Sequence, residues 1–358
     1  MFFITCLRII SILLAIVGIS FLIPIAVALF CGEFSMLLPF VIPMVISFII
    51  VAVVNLPTRK MKMNLTTRQT FLIVALSWIF ASVMGSIPLY FSNYFPSYID
   101  ALFESISGFT TTGCTILSEL ENLPRSINMW RCLTHWLGGM GIVTLTVALL
   151  PLLGVGGFQL IKAETTGPEK GKVTARITTT AKALWIIYAG FTLAETIALM
   201  IAGMDFIDAL SHSFSTLGTG GFSTRNASIA SYDSVAIDVI ITIFMFIAGV
   251  NFSLFYYLIT KRMDDIRSNS EFKAYCGIVV VFILAITLCL LPHYKNFGTS
   301  LRYSSFQVLA IISTTGFGTS DYILWPSAAQ FWIFILFFIG GSSGSTSGGV
   351  KVVRWVIL

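Results

Sequence analysis

The chain has 358 residues, 56% of them hydrophobic and only 10% charged, with a formal net charge of +5. Soluble domains carry about 25% charged residues, so the composition excludes a soluble fold, and so small and scattered a cationic excess excludes a nucleic-acid binder. The six cysteines form no CxxC pair and share no zinc-type spacing with histidine, so they are expected to be free thiols within a membrane.

A helix that crosses a bilayer needs about 20 apolar residues. In chain order, such runs fall near 9–30, 36–54, 70–91, 129–152, 183–203, 233–259, 275–292 and 328–357. The first is too long for the core of a removable leader and no small-residue cleavage site follows it, so it is expected to be retained. Three shorter apolar segments, near 100–110, 208–217 and 303–313, are too short to cross. Each leads into a hydroxyl- and glycine-rich stretch: "SGFTTTGCT" at 107–115, "SFSTLGTGGFS" at 213–223 and "AIISTTGFGT" at 310–319.

Basic residues orient the spans. If the short segments enter and leave on one face, the cationic linkers all fall on the other. These linkers hold Arg59, Lys60, Lys62 and Arg68; Lys162, Lys170, Lys172, Arg176 and Lys182; and Lys261, Arg262, Arg267 and Lys273. Arg8, Lys351 and Arg354 join them. Counting the short segments as full spans would scatter these residues over both faces, so the pattern predicts re-entrant segments on the outer face.

The three segments are copies of one unit. A shift of 108 residues lays "DALFESISGFTTTGC" over "DALSHSFSTLGTGGF", matching Asp100 with Asp208, Ser105 with Ser213, Ser107 with Ser215, Thr111 with Thr219 and Gly113 with Gly221. A further shift of 95 brings Thr314 and Gly316 into the same columns. After each comes another span with small residues in its middle: "WLGGMG", "FIAGVN" and "FIGGSS". The unit is span, short helix, Thr/Gly stretch, span. It occurs three times after an N-terminal pair of spans, which divides the chain at 1–68, 69–160, 161–262 and 263–358.

Irregular backbone at membrane depth survives only when buried in protein or lining a water-filled cavity. Glycine opens dihedrals that other residues avoid, and threonine adds an oxygen ligand without charge. Such oxygens can replace the hydration shell of a monovalent cation. The C-terminal end of the short helix adds partial negative charge, while Asp100 and Asp208 suit the positive ends. Calcium usually requires carboxylates, and the stretches contain none. His135, inside a span, reads as a hydrogen-bonded packing residue, with a proton or metal role as the other reading. Glu195 and Glu104 read equally as structural partners or ion ligands.

The pattern of span, pore helix, "TTTGC"/"TGGF"/"TTGF" and span resembles the TrkH/TrkG/KtrB/HKT superfamily of potassium transporters, most closely its bacterial Trk branch. The resemblance implies an all-helical integral membrane protein of the bacterial inner membrane, not an enzyme, with re-entrant pore loops and K+ as the transported ion. It places the K+ filter at Thr111, Thr112, Gly113, Thr219, Gly220, Gly221, Thr314, Thr315 and Gly316. By the same resemblance "GGSSGSTSGG" is an intramembrane gate of Gly340, Gly341, Ser342, Ser343, Gly344, Ser345, Thr346, Ser347, Gly348 and Gly349; close helix packing is the other reading of this run. It also implies a lipid environment, a homodimer and a cytoplasmic nucleotide-binding, TrkA-like subunit. The superfamily carries four repeats and three are present here, so the chain is expected to be a fragment or a shortened product that does not conduct alone. The alternatives are an ion-coupled transporter with broken helices and a non-conducting regulatory chain.

Overall fold

A computed structural model describes residues 2–58, 67–141 and 177–358. Arg59, Lys60, Lys62, Lys162, Lys170, Lys172, Arg176 and the second half of the span expected at 129–152 lie outside these residues. Every regular element among the described residues is helical. The chain divides into two compact units, Met1–Trp185 and Ile186–Leu358.

In the first unit the N-terminal pair is α1 (Phe2–Ser20), α2 (Leu22–Cys31) and α3 (Leu37–Thr58). Pro24 sits in the first turn of α2, where the missing N–H costs nothing. Gly32 ends α2 with φ +73°, the left-handed cap that glycine adopts without strain. α1 packs along α3. A Cβ on Gly18 would lie 2.0 Å from the Ser47 Oγ, so small residues set this helix spacing. Arg8, counted from sequence as a topology signal, is buried, and its Nε donates to the Asn55 Oδ1 at 3.5 Å.

The first repeat follows as α4 (Thr67–Phe91), α5 (Tyr98–Phe109) and α6 (Arg125–Gly139). Glu33 caps α6, accepting from the Arg125 N–H at 2.7 Å, the Ser126 N–H at 3.1 Å and the Ser126 hydroxyl at 2.6 Å. A carboxylate at a helix N-terminus also favours the macrodipole. The buried Trp130 of α6 lies 4.5 Å from the Phe21 ring and donates its indole N–H to the Gly85 carbonyl at 2.9 Å. This joins all three segments of the unit.

α7 (Ile177–Ile201) crosses the division between the units. The second unit continues with α8 (Phe206–Gly218), α9 (Val235–Ala248), α10 (Phe252–Ile259), α11 (Met263–Ser268), α12 (Ser270–Tyr294), α13 (Phe297–Ile312), α14 (Ser327–Leu336) and α15 (Val352–Ile357). Its core is built on Tyr275, Ile286, Phe306, Val308 and Ile333. Arg302 of α13 reaches Asp238 of α9 at 2.6 Å, a mostly buried ion pair.

Among the described residues, five helices are long and apolar enough to cross a membrane: Phe3–Cys31, Phe34–Thr58, Phe71–Phe91, Ala183–Ile201 and Ser270–Tyr294. Two of the eight expected spans are interrupted. The run at 233–259 bends by 93° between α9 and α10, and that at 328–357 leaves the helix after Leu336. The three short segments are helices of 12, 13 and 16 residues, all below crossing length.

Candidate functional site

The three Thr/Gly stretches share one backbone. Thr111, Thr219 and Thr314 have φ of 53°, 53° and 58°, and Gly113, Gly221 and Gly316 have φ of 74°, 82° and 79°. A β-branched residue rarely enters the left-handed region, so finding it at one position of all three copies shows that the surroundings impose it. Each left-handed threonine closes the short helix before it. Its N–H donates to the carbonyl of Gly108, Thr216 or Ile311 at 3.0, 3.0 and 2.9 Å. The hydroxyls of Thr110 and Thr112 meet at 2.8 Å, and those of the matching Ser313 and Thr315 at 2.7 Å.

The short helices are capped alike. Ser97, Asp205 and Asn296 each accept from an N–H of the first turn, which satisfies otherwise orphaned donors. Asp100 accepts from the Ser97 hydroxyl at 2.8 Å. Asp208 accepts from Arg225 at 3.1 Å and from the Tyr232 hydroxyl at 3.0 Å. Burial pushes the Tyr232 phenol up to about 12, so it stays a proton donor to that carboxylate.

Behind each of the first two stretches stands a buried polar strut. Glu104 of α5 accepts from the Thr115 hydroxyl at 2.8 Å and pairs with Arg131 of α6 at 2.7 Å, with both charged side chains fully buried. The same shift of 108 residues maps Glu104 and Thr115 onto His212 and Ser223, whose side chains meet at 2.9 Å. The His212 Nδ1 faces the Asp208 carbonyl at 2.7 Å. A carbonyl only accepts, so Nδ1 carries the proton and Nε2 accepts from Ser223. Glu104 therefore braces the strand that leaves the first stretch. Glu195 is fully buried on α7 against Thr216 of α8.

Glycine is required where these segments approach closely. A Cβ on Gly221 would lie 2.0 Å from the Thr315 carbonyl oxygen, so the second and third stretches touch backbone to backbone. A Cβ on Gly138 would lie 2.1 Å from the Phe109 carbonyl oxygen, which explains the small residues of "WLGGMG".

The run from Gly340 to Gly349 is not helical and folds directly against the second and third stretches. Thr219 donates its hydroxyl to the Thr346 carbonyl at 2.9 Å, and the Gly348 N–H donates to the Thr314 hydroxyl at 2.7 Å. The loop closes on itself through the Gly340 N–H and the Val350 carbonyl at 2.9 Å. It is tied to the break between α9 and α10 by the Ser342 N–H to the Gly249 carbonyl at 2.9 Å and the Phe252 N–H to the Gly344 carbonyl at 3.1 Å. The Lys351 ammonium donates to the Ser347 carbonyl and the Ser345 hydroxyl.

Three participants were not picked out from the sequence. Glu271, on the first turn of α12, reads as an ordinary charge at a span end, yet it accepts from the Ser343 N–H, the Ser343 hydroxyl and the Val353 N–H at 2.6, 2.7 and 3.1 Å. Its signal lay in the spacing of Glu271, Tyr275 and Val279, one face of a helix. Asn251 accepts from the Ser253 N–H at 2.9 Å to start α10, an Asn cap hidden in an apolar run. Arg131 inside "MWRCL" is the base that pairs with Glu104.

His135 is fully buried in α6. No cluster of three or more His, Cys, Asp or Glu side chains that could hold a metal occurs among the described residues, and all six cysteines are free. None of the three stretches contains a carboxylate; their side-chain oxygens are neutral hydroxyls.

Residues 38–358 match the family model for TrkH, a cation transport protein. The Trk system potassium uptake protein TrkH of Halomonas elongata is 41% identical over 359 residues, covering 98% of this chain and 74% of that protein. The TrkH of Escherichia coli K12 is 43% identical over 307 residues, covering 84% of this chain and 64% of its own length. The E. coli uptake protein TrkG is 34% identical over 346 residues. The crystal structure of the potassium transporter TrkH from Vibrio parahaemolyticus superposes with a TM-score of 0.86 at 38% identity, over all of this chain and 74% of that one. The chain thus spans about two thirds to three quarters of the length of these relatives.

Proposed function

From the premise that this chain belongs to the TrkH cation transport family, we propose that it supplies three of the filter strands of a potassium uptake pore in the bacterial inner membrane. The observation that carries this reading is the left-handed Thr and left-handed Gly two residues apart, present in all three repeats. Threonine hydroxyls and backbone carbonyls there replace the ion's water shell. The filter residues are Thr111, Thr112, Gly113, Thr219, Gly220, Gly221, Thr314, Thr315 and Gly316. The loop from Gly340 to Gly349 is the gate, because it bonds to two of the filter threonines and consists of residues with little preference for helix.

The family's naming as a multi-component system supports assembly with other chains, and we extend this to a homodimer and a cytoplasmic nucleotide-binding subunit of the TrkA type. Potassium flux into liposomes, measured on the protein encoded by the whole gene, tests the reading. A passive flux driven by a salt gradient, selective for potassium over sodium, is expected. Strict stoichiometric coupling to a second ion would favour a transporter with broken helices. No flux, together with binding to a conducting relative, would favour a regulatory chain.

A further inference from the structure

The Gly/Ser loop is held by one carboxylate, that of Glu271 on the span that opens the same repeat. Glu271 opens α12, where a negative charge favours the positive helix end. It is 8% exposed. Its two oxygens take three hydrogen bonds from the Gly/Ser segment and the helix after it: two from Ser343 at 2.6 and 2.7 Å, and one from the Val353 N–H at 3.1 Å. The residue four further along α12, Tyr275, holds the other irregular segment. Its hydroxyl donates to the Phe246 carbonyl at 3.3 Å and would lie 2.2 Å from a Cβ on Gly249. One stripe of α12 therefore grips the loop at its lower residue and the bend between α9 and α10 at its upper one. The loop is stitched to that same bend by the bonds of Ser342 and Phe252.

We propose that Glu271 is the latch of the gate loop: a positioning residue whose carboxylate holds the segment from Gly340 to Lys351 against the filter. The inference rests on the gating reading above for its functional meaning, but not for its structural content. Hydrogen bonds to a charged acceptor are stronger than those to a neutral one, and unpartnered backbone N–H groups buried in protein are costly. With the charge gone, as in Glu271→Gln, the Ser343 and Val353 N–H groups, which share one oxygen, keep only a neutral acceptor, and the Ser343 hydroxyl faces an amide nitrogen in place of the other oxygen. The closed loop then lies closer in energy to any displaced arrangement, and the population shifts accordingly. Lys351 works in the same direction by tying the loop internally to Ser345 and Ser347. Glu271 differs because its bonds join the loop to a rigid span.

The test uses the protein encoded by the whole gene, in native membranes, in a background without native cysteines and with Ser342→Cys as reporter. Ser342 is 1% exposed. Its hydroxyl has no hydrogen-bond partner among the described residues, so a thiol there costs no bond. An impermeant thiol reagent is applied from the cytoplasmic side. Glu271→Gln, which keeps the shape and removes the charge, should speed modification of the reporter roughly tenfold, the factor that corresponds to about 1.4 kcal/mol. Ser343→Ala, which deletes one of the three donors, should give a smaller increase, and a control cysteine at the exposed Ser268 should not respond to either variant. Unchanged modification in both variants overturns the latch, whatever the flux does. Faster modification with unchanged potassium flux keeps the latch and removes the loop from gating, so the two readings fail separately. If Glu271→Gln cannot be recovered folded, Ser343→Ala decides alone: a rise supports the latch and no rise overturns it.

Discussion

Gly113 stands at φ +74°, in a first stretch whose closing hydroxyl pair and helix cap match those of the third. A serine there must either bear a left-handed backbone, at about 1–2 kcal/mol, or rotate the peptide and move the carbonyl. In the whole-gene protein, Gly113→Ser is therefore expected to lower potassium-over-sodium uptake by roughly 5- to 30-fold, the factor equivalent to that energy. Equal relative uptake in competition flux would remove Gly113 from the filter. At the neighbouring strut, Arg131→Ala leaves Glu104 buried and without its ion-pair partner. Such a change costs about 3–5 kcal/mol. Thermal unfolding in detergent should show a large fall in midpoint, and the double variant Arg131→Met with Glu104→Gln should recover most of it. Independent, additive losses would show that the pair is not coupled.

At the scale of elements, the repeat was legible because hydroxyl and glycine positions recur at fixed spacings inside otherwise apolar text. The matched dihedrals of Thr111, Thr219 and Thr314 rest on those same columns. The bend after Ala248 was not legible. Apolar residues dominate "FIAGVNFSLF" on both sides of Asn251, and composition alone does not distinguish a straight apolar helix from two helices at 93°. The non-helical course of the Gly/Ser loop was legible from its glycine density, since each glycine costs about 1 kcal/mol in a helix relative to alanine. What held it was not, because Glu271 is distant in sequence. If the loop is the gate, deleting Ser343 to Ser347 removes the segment that the latch grips and should raise potassium flux in the absence of the cytoplasmic partner. A fall or no change, with normal folding and assembly, would make the loop a packing element.

At the scale of the molecule, two of the three basic linkers fall wholly or mainly outside the described residues. The one-sided arrangement of the loops is therefore tested best in cells. Asn226, just after the second stretch, and Ser268, in the linker with Lys261, Arg262 and Arg267, are both exposed. Single cysteines there, in a cysteine-free background, should differ: an impermeant reagent added to intact cells should label position 226 and spare 268 until the membrane is opened. Labelling of 268 without 226 would invert the topology. The exposure of Phe30, Leu56, Ile201 and Leu288 is that of surfaces facing lipid tails, where large apolar side chains need no protein partner.

The left-handed threonines carry a consequence for how this protein trades durability against selectivity. Within α8, replacing a buried serine such as Ser213 by alanine should be milder than replacing it by glycine, by about 1 kcal/mol, because glycine loses more freedom on entering a helix. At Thr111, Thr219 and Thr314 the order should invert. Glycine occupies φ near +55° without the steric cost that any Cβ incurs there, so Thr→Gly should be about 1 kcal/mol more stable than Thr→Ala at each of the three positions, seen as a higher thermal midpoint. Both variants lose the hydroxyl and should discriminate ions equally poorly. A protein under selection for stability alone would drift toward glycine at these columns. On the proposed filter reading, threonine held uphill in all three copies is the cost of placing an oxygen ligand at a backbone that favours glycine.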